Sequence, residues 1–244
     1  MIAIIARHGK TRAGDIAILK ADVFLGRPRP ELAARLQQLD PVVPAMDLHA
    51  LRALPPGTFG RSYVDFLDNN GLAPFIVSEL TTPAVMARNL HWARYSLIHD
   101  MCHVLLDAGP DLVGEMKVYG FAIGQRYALS LAMFLPLVLV VMPLLAPHRT
   151  GAMIRSFRAG YALGRRTPCV MSQRLEDGFA QDLDEVRRTM GLSGRSLFLQ
   201  GRRADPGPGG GARQPAAAAD PGGERRRGEV RTGEQPGPGR GLSY

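Results

Sequence analysis

A run of 21 residues without a charged side chain, residues 127–147, limits most strongly what this chain can fold into. It reads YALSLAMFLPLVLVVMPLLAP, and about 20 apolar residues are enough to span a bilayer. Pro136 and Pro143 interrupt the run, and since proline breaks the helical hydrogen-bond ladder, we expect helical pieces of less than about two turns. The run therefore predicts a broken hairpin that lines a core, a lipid pocket or a membrane-dipping surface, with a transmembrane span as the alternative.

The last 44 residues, 201–244, have a composition unlike the rest of the chain. Gly and Pro account for 18 of them, and there are too few apolar side chains to offset the entropy of ordering. Eight Arg and five acidic residues place +3 of the net charge of +8 in this tail, which leaves +5 on residues 1–200. We predict a folded domain over residues 1–200 and a disordered, solvated tail, without a nucleic-acid partner.

The cysteines and the N-terminus bear on the compartment. Cys102 and Cys169 are too few for a disulfide framework, which favours a reducing environment. The opening MIAIIARHGKTRAGD has an apolar run of only six residues before Arg7. We therefore expect neither a secretory signal nor an organelle presequence.

Residues that typically start or end helices recur through residues 1–200. Pro30 suits the first turn of a helix that Pro41 ends, and Thr82 is a natural N-cap for a long helix running to about Asp107. A further helix is expected to begin near Asp111. Near the end, apolar residues recur three or four positions apart and predict one more helix: Leu175, Phe179, Leu183, Val186 and Met190, with Gly191 as its C-cap. Since no strand alternation is visible, the sequence predicts a mainly α, single helical domain.

Four ionisable residues stand out in the segment YSLIHDMCHVLLDAGPDLVGEMK. His99 and His103 are one helical turn apart, so their rings project from one face and can converge on one ion. Asp100 is close enough on the helix to ligate or to hold the second nitrogen of a histidine. Glu115 follows a Gly-Pro turn that can fold the next helix back against the first. We therefore predict a metal site between two consecutive helices, made by His99, Asp100, His103 and Glu115.

Two imidazoles with one or two carboxylates form a borderline ligand set. Zn²⁺ accepts such a set readily, and so does Fe²⁺ in a facial-triad arrangement. The alternative is that His99 is a hydrogen-bonded core histidine and Asp100 a local cap. Apolar residues flank the cluster on both sides, and burying these groups among them is costly unless a cation pairs them.

Several segments together resemble one known family. The motif HDMCH followed by eleven residues and Glu115 resembles the signature of the coenzyme Q biosynthesis protein 4 family, which acts in the ubiquinone pathway. The segments that resemble the family in the same order are LPPGTFGRSYVDFL, RYSLIHD, GEMK, GYALGR and RLEDGFAQDLDEVRRTMGL. The resemblance covers most of residues 1–193 but not the tail. Asp107 departs from it, since the family is usually apolar or small there.

The resemblance implies a metal-dependent enzyme of ubiquinone biosynthesis. Its substrate would be a 4-hydroxy-3-methoxy-5-polyprenylbenzoate-type compound, decarboxylated and hydroxylated at C1, with His99, Asp100, His103 and Glu115 as the catalytic and metal residues. The family also organises the other pathway enzymes at a membrane. The implied location is peripheral, on the cytoplasmic face of the bacterial inner membrane or the matrix side of the mitochondrial one, in contact with surface lipids. A homo-oligomer is left open.

Two rival interpretations use the same residues differently. In the first, the chain is a scaffold or prenyl-lipid carrier whose ion is structural; an open coordination position would favour catalysis instead. In the second, IAIIARHGKT resembles the opening of histidine phosphatases, with His8 as nucleophile. That fold needs alternating strands and a second, late histidine, and the one late histidine, His148, follows the proline-broken apolar run.

Overall fold

The computed structural model describes residues 13–24, 27–73, 75, 77 and 81–192. Helix is the main secondary structure in these ranges. The α-helices of these ranges are α1 Ala13–Phe24, α2 Pro30–Leu36, α3 Leu48–Arg52, α4 Phe59–Asn69, α5 Pro83–Arg88, α6 Leu90–Leu105, α7 Leu112–Gly124, α8 Leu129–Met133, α9 Leu135–Leu145, α10 Thr150–Arg166 and α11 Leu183–Thr189. Within the same ranges, 3-10 turns lie at Pro147–Arg149, Val170–Ser172 and Leu175–Gly178. The described residues form no strand, only an isolated bridge between Thr58 and Asp182. The predicted mainly α fold is confirmed, whereas the predicted tail, 201–244, lies outside the described residues.

The helix starts predicted at Thr82 and Asp111 are confirmed. The Thr82 hydroxyl accepts a hydrogen bond from the Val85 N–H at 3.4 Å, and the Asp111 carboxylate accepts one from the Gly114 N–H at 2.9 Å. Such caps satisfy N–H groups that have no partner inside the first helical turn. Asp111 thereby fixes where α7 begins and places Glu115 in its first turn.

The single long helix predicted from Thr82 to about Asp107 is wrong, because Asn89 divides it into α5 and α6. The Asn89 side-chain amide donates to the Val85 carbonyl at 2.9 Å and to the Asp22 carboxylate at 2.6 Å. The Val85 carbonyl would otherwise accept the next helical hydrogen bond. A buried asparagine therefore ends α5 and ties it to α1.

The predicted helix through Leu175–Met190 is also wrong in its first half. Residues Leu175–Gly178 form a 3-10 turn, and Asp182 then starts α11 by accepting hydrogen bonds from the N–H groups of Asp184 and Glu185. The residues between the two elements serve another helix. The carbonyls of Phe179 and Gln181 accept the N–H groups of Gly60 and Phe59, each at 2.9 Å, so this segment satisfies the start of α4.

A sealed ion pair holds α6 to the loops around it. Arg94 is completely buried, and its guanidinium lies 3.0 Å from the carboxylate of Glu176, which is 9% exposed. The same guanidinium donates to the carbonyls of Met171 and Val42, each at 3.4 Å, and to that of Gln173. One side chain thus connects α6 with a loop before α3 and with both 3-10 turns that precede α11.

Glycines allow α7 and α10 to pack with their backbones in contact. A Cβ atom added at Gly120 would overlap the Phe157 carbonyl oxygen, and one added at Gly160 would overlap the Lys117 carbonyl oxygen. Gly124 and Gly164 continue the contact one turn further along the same two helices. The position of α7, and with it the position of Glu115, is therefore set by α10.

The apolar run behaves differently from the rest of the described chain, because many of its large side chains face outward. The exposed ones include Met133, Leu137, Val140, Leu144 and Leu145, each with at least 58% of its surface exposed. Helix α9 has 11 residues, about three turns, so the expectation of shorter pieces is wrong there. Pro136 lies at its second position, where no N–H partner is needed, and Pro143 falls in its last turn. None of the helices in the described ranges is long and apolar enough to cross a bilayer.

Candidate metal centre

Helices α6 and α7 bring together three of the four predicted ligands. The His99 and His103 rings lie on one face of α6, with centroids 5.0 Å apart. The Glu115 carboxylate on α7 faces both rings, at 3.6 Å from His99 Nε2 and 3.3 Å from His103 Nε2. One donor atom from each of the three residues lies within 4.8 Å of the other two. This spacing allows all three to contact a single ion.

The other nitrogen of each ring has an acceptor, which determines how the ring is presented. His103 Nδ1 lies 3.1 Å from the carbonyl oxygens of both Ala108 and Gly109. Carbonyl oxygens only accept, so Nδ1 carries the proton and neutral His103 keeps a lone pair on Nε2. His99 Nδ1 lies 3.3 Å from an Asp100 carboxylate oxygen, with the same consequence. Histidines held in this way are typical of metal ligands.

Asp100 lies on the far side of the His99 ring from Glu115. Its carboxylate contacts Nδ1, whereas the close group of donor atoms is made by Nε2 atoms and Glu115. Of the two roles predicted for Asp100, this position matches the one that orients His99.

The centre is buried on one side and accessible on the other. The side chain of His103 is 1% exposed, that of His99 is 28% exposed and that of Glu115 is 44% exposed. Phe66 of α4 stacks on the His103 ring with centroids 5.3 Å apart, and Tyr95 meets the His99 ring edge-on at 5.7 Å. Aromatic side chains therefore hold both imidazoles, while the Glu115 carboxylate, which faces the rings, stays partly exposed.

When no cation is bound, the pKa values of His99 and Glu115 shift in opposite directions. Burial alone would lower the pKa of His99, but its hydrogen bonds with Asp100 and Glu115 outweigh burial and raise it to about 9. Burial would raise the pKa of Glu115, but hydrogen bonds from His103 and His99 outweigh it and lower that pKa to about 2. A proton on His99 thus occupies the place where a cation would balance the carboxylates.

The donor set fits a zinc or ferrous ion. Two imidazole nitrogens and a carboxylate oxygen are the donors found in catalytic zinc sites and in facial-triad iron sites. Both imidazoles have acceptors that fix the required tautomer, and the carboxylate is ionised at neutral pH. Three protein donors leave coordination positions open for another ligand.

Two buried cations on the ligand helices, Lys117 and Arg94, were not predicted from the sequence. Lys117 is buried in α7 two positions after Glu115, and its ammonium donates to the Leu106 carbonyl at 2.6 Å. The signal for Lys117 was present, because it is the one cation in an otherwise apolar stretch of α7. Arg94 gave no such signal, since Glu176 lies 82 residues away.

The phosphatase interpretation depends on His8 and on a second, late histidine. His8 lies outside the described residues, and His148 is exposed in a 3-10 turn. That class of enzyme needs alternating strands, and residues 13–24, 27–73 and 81–192 contain none. The remaining candidate is the centre on α6 and α7.

Comparisons with known proteins point to one family. Residues 38–195 match the family model described as "Coenzyme Q (ubiquinone) biosynthesis protein Coq4". The chain is 33% identical over 181 residues to the mitochondrial ubiquinone biosynthesis protein COQ4 homolog of Bos taurus, covering 70% of this chain and 64% of that protein. Against the Homo sapiens homolog of the same description it is 31% identical over 184 residues, covering 72% and 66%. The chain thus spans slightly less than two thirds of the length of these relatives.

A crystal structure from Nostoc punctiforme PCC 73102 has a similar fold. Its TM-score is 0.54 at 20% sequence identity, over 74% of this chain and 82% of the Nostoc chain. The similarity concerns the fold alone. It agrees with the helical arrangement described above.

Proposed function

We propose a function from one premise, that this chain belongs to the Coq4 family of coenzyme Q (ubiquinone) biosynthesis proteins. The proposed activity is the metal-dependent oxidative decarboxylation of a polyprenylated hydroxybenzoate at the ring carbon that bears the carboxylate. His99, His103 and Glu115 are the proposed ligands of a zinc or ferrous ion. Asp100 is the proposed orienter of His99.

The observation that carries the proposal is the convergence of three donor groups. The Nε2 atoms of His99 and His103 and the Glu115 carboxylate converge, while Asp100 lies behind His99. A structural ion is normally enclosed by four protein ligands, whereas a catalytic ion keeps a position for substrate or water. Three converging donors therefore favour catalysis over a scaffold whose ion is only structural.

The bound ion would act as a Lewis acid toward the substrate carboxylate or phenolate. The chain's own residues prepare that position. His99 must give up its proton before its Nε2 can ligate, and Asp100 and the Ala108 and Gly109 carbonyls keep the two Nδ1 protons in place. Phe66 and Tyr95 pack against the imidazoles and limit water on those sides.

The reaction balances with dioxygen as oxidant. The ring C–C bond to the carboxylate breaks with release of CO₂, and a C–O bond forms at the same carbon. A 4-hydroxybenzoate plus O₂ gives the corresponding quinone, CO₂ and water; the quinol results when two further electrons and two protons are supplied.

We also propose that the protein associates peripherally with a membrane through α8 and α9. A ridge of exposed apolar side chains without any charged residue between 127 and 147 supports this, because such a patch is costly in water and suits the interfacial region of a bilayer. A prenyl chain in the substrate has the same requirement, with about 0.8 kcal/mol gained per buried methylene. The curated relatives are named as mitochondrial, so the proposed location is the matrix side of the mitochondrial inner membrane, or the cytoplasmic face of the inner membrane in a bacterium.

The same ridge bears on partners. Other ubiquinone-biosynthesis enzymes handle the same prenylated compounds, so docking on one membrane surface would bring this chain close to them. This organising role accompanies the proposed catalysis. Carbonate washing at high pH releases peripheral proteins, and retention of this chain in the membrane pellet would contradict peripheral association.

The deciding experiment measures product and metal together. Purified protein is expected to hold about one zinc or iron per chain by elemental analysis and to convert a short-chain prenylated hydroxybenzoate to the decarboxylated quinone or quinol under oxygen. His99→Ala is expected to abolish both, and His148→Ala, which removes an exposed histidine outside the centre, is the control. Full ubiquinone production by His99→Ala and Glu115→Ala in cells lacking the native protein would leave only the scaffold function.

A further inference from the structure

Two basic side chains converge on the end of the helix that carries both histidines. Arg187 of α11 donates to the Val104 carbonyl at 2.8 Å and to the Leu105 carbonyl at 3.2 Å. Lys117 of α7 donates to the next carbonyl, that of Leu106, at 2.6 Å. Three successive carbonyls at the C-terminus of α6 therefore accept hydrogen bonds from cations of two other helices.

Both cations are largely shielded from water, so water cannot easily take the place of their carbonyl acceptors. Lys117 is 5% exposed, and the Arg187 side chain is 15% exposed. The last carbonyls of a helix lack partners within the helix and carry the negative end of its dipole, so a buried cation there is favourable. A buried charge that loses its acceptors is costly, which makes the geometry of this contact specific.

The contact lies at the turn that joins the two ligand helices. The turn continues from Leu106 to Asp111, and the carbonyls of Ala108 and Gly109 within it accept the His103 Nδ1 proton. Its Gly109 carbonyl also lies so close to Gly114 that a Cβ there would overlap it. A change in the path of this turn would therefore alter the orientation of His103 and the start of α7 together.

We infer that Lys117 and Arg187 are positioning residues for the metal centre, because together they fix the turn that sets the His103 tautomer and the approach of Glu115. Neither residue contacts the proposed ion; they act through the three carbonyls and the turn. The inference rests on the proposed function for its metal but concerns residues outside the ligand set.

The test compares Arg187→Gln with Arg188→Gln in the full-length protein. Arg188 is the adjacent arginine, is exposed and pairs with Glu185 on the surface of α11, so its substitution controls for the loss of one charge. Lys117→Met is the second test variant, and Arg187→Lys covers the case in which the first variant does not fold.

The first measurement is the tautomer of His103 in metal-free protein, from the ¹⁵N shifts of the imidazole at a pH where the ring is neutral. The parent and Arg188→Gln are expected to show the Nδ1–H form. Arg187→Gln and Lys117→Met are expected to show a mixture, with amide exchange at Asp107 and Ala108 about tenfold faster. A residue that only stabilises the fold would lower the melting temperature without changing the tautomer.

The second measurement is a cobalt(II) titration followed by visible absorption. Arg187→Gln is expected to bind cobalt about tenfold more weakly than the parent, and Arg188→Gln equally well. Parent-like tautomer and cobalt affinity in both test variants would overturn the inference, even if their melting temperatures fall. If the parent bound no cobalt, zinc or iron, the metal centre would be wrong, and the tautomer and exchange results would decide the positioning role alone.

Discussion

Helix α6 carries two ionic clusters that are built in opposite ways. At one end, Arg94 and Glu176 are almost completely buried, and the guanidinium is also surrounded by backbone carbonyls. At the other, His99, His103 and Glu115 face one another, with the carboxylate 44% exposed. The first cluster satisfies its charges within the protein. In the second cluster, the donor atoms of the three side chains converge on one position, as they would in a binding site for a cation.

The largest predicted effect is a loss of unfolding free energy when the sealed Arg94–Glu176 cluster is broken. Arg94→Met leaves Glu176 without its charge partner, and breaking a buried ion pair typically costs about 3–5 kcal/mol. Chemical denaturation is expected to show a loss of this size. Arg52→Gln, which breaks an exposed pair with Asp68, is the control and is expected to cost less than about 1 kcal/mol. Equal losses of unfolding free energy in the two variants would show that the buried Arg94–Glu176 pair stabilises the protein no more than the exposed pair does.

The open cluster is expected to respond in binding and hardly in stability. Glu115→Gln keeps the shape of the side chain and removes the negative ligand, so metal affinity is expected to fall by at least about a hundredfold, or about 2.7 kcal/mol. The midpoint of denaturation is expected to change little. A Glu115→Gln protein that retained its full metal content after dialysis would remove Glu115 from the ligand set.

A smaller effect distinguishes the two roles of Asp100. If the carboxylate only orients His99, Asp100→Asn is expected to lower metal affinity and turnover by about tenfold, which is typical of a group that supports a ligand. The carboxamide keeps an oxygen acceptor for His99 Nδ1 but loses the charge. A loss as large as that of Glu115→Gln would instead identify Asp100 as a direct ligand.

The smallest predicted effect is the pH dependence of the metal-free protein. The raised pKa of His99 contributes stability that is complete below about pH 6.5 and is lost as pH rises through about 9. The lowered pKa of Glu115 contributes stability that is complete above about pH 4.5 and is lost as pH falls through about 2.

Both contributions are therefore complete between about pH 4.5 and 6.5. Because the cluster is partly exposed, we expect a change in Tm of only about 2–4 °C across the alkaline limb. Thermal scans of Glu115→Gln are expected to show a smaller alkaline limb, because Asp100 still raises the pKa of His99. An unchanged profile would show that the His99–Glu115 pair does not couple to folding. Metal affinity is expected to move the opposite way and rise toward about pH 9, since the ion competes with the His99 proton.

Local signals in the sequence predicted the open cluster better than the sealed one. The spacing of His99 and His103 and the caps at Thr82 and Asp111 are properties of neighbouring residues, and the structure agrees with them. Asn89 was missed as a helix end because its second acceptor, Asp22, is 67 residues distant.

Long-range contacts also explain the error at the end of the described chain. Apolar periodicity through Leu175–Met190 suggested one helix, but the carbonyls of Phe179 and Gln181 bind the start of α4 instead of continuing a helix. The Arg94–Glu176 pair was not predicted for the same reason. The tail, residues 201–244, stays a prediction.

The packing of α7 on α10 changes which substitutions should be regarded as mild. Gly160→Ala is among the most conservative replacements by chemistry, yet the added methyl group meets the Lys117 carbonyl, which belongs to backbone and has no rotamer to escape into. Helix α7 would have to move away, and Glu115 would move with it. Variants at the glycines on these two helices should therefore be ranked with ligand substitutions, although these glycines lie at the contact between α7 and α10 and not among the donor atoms.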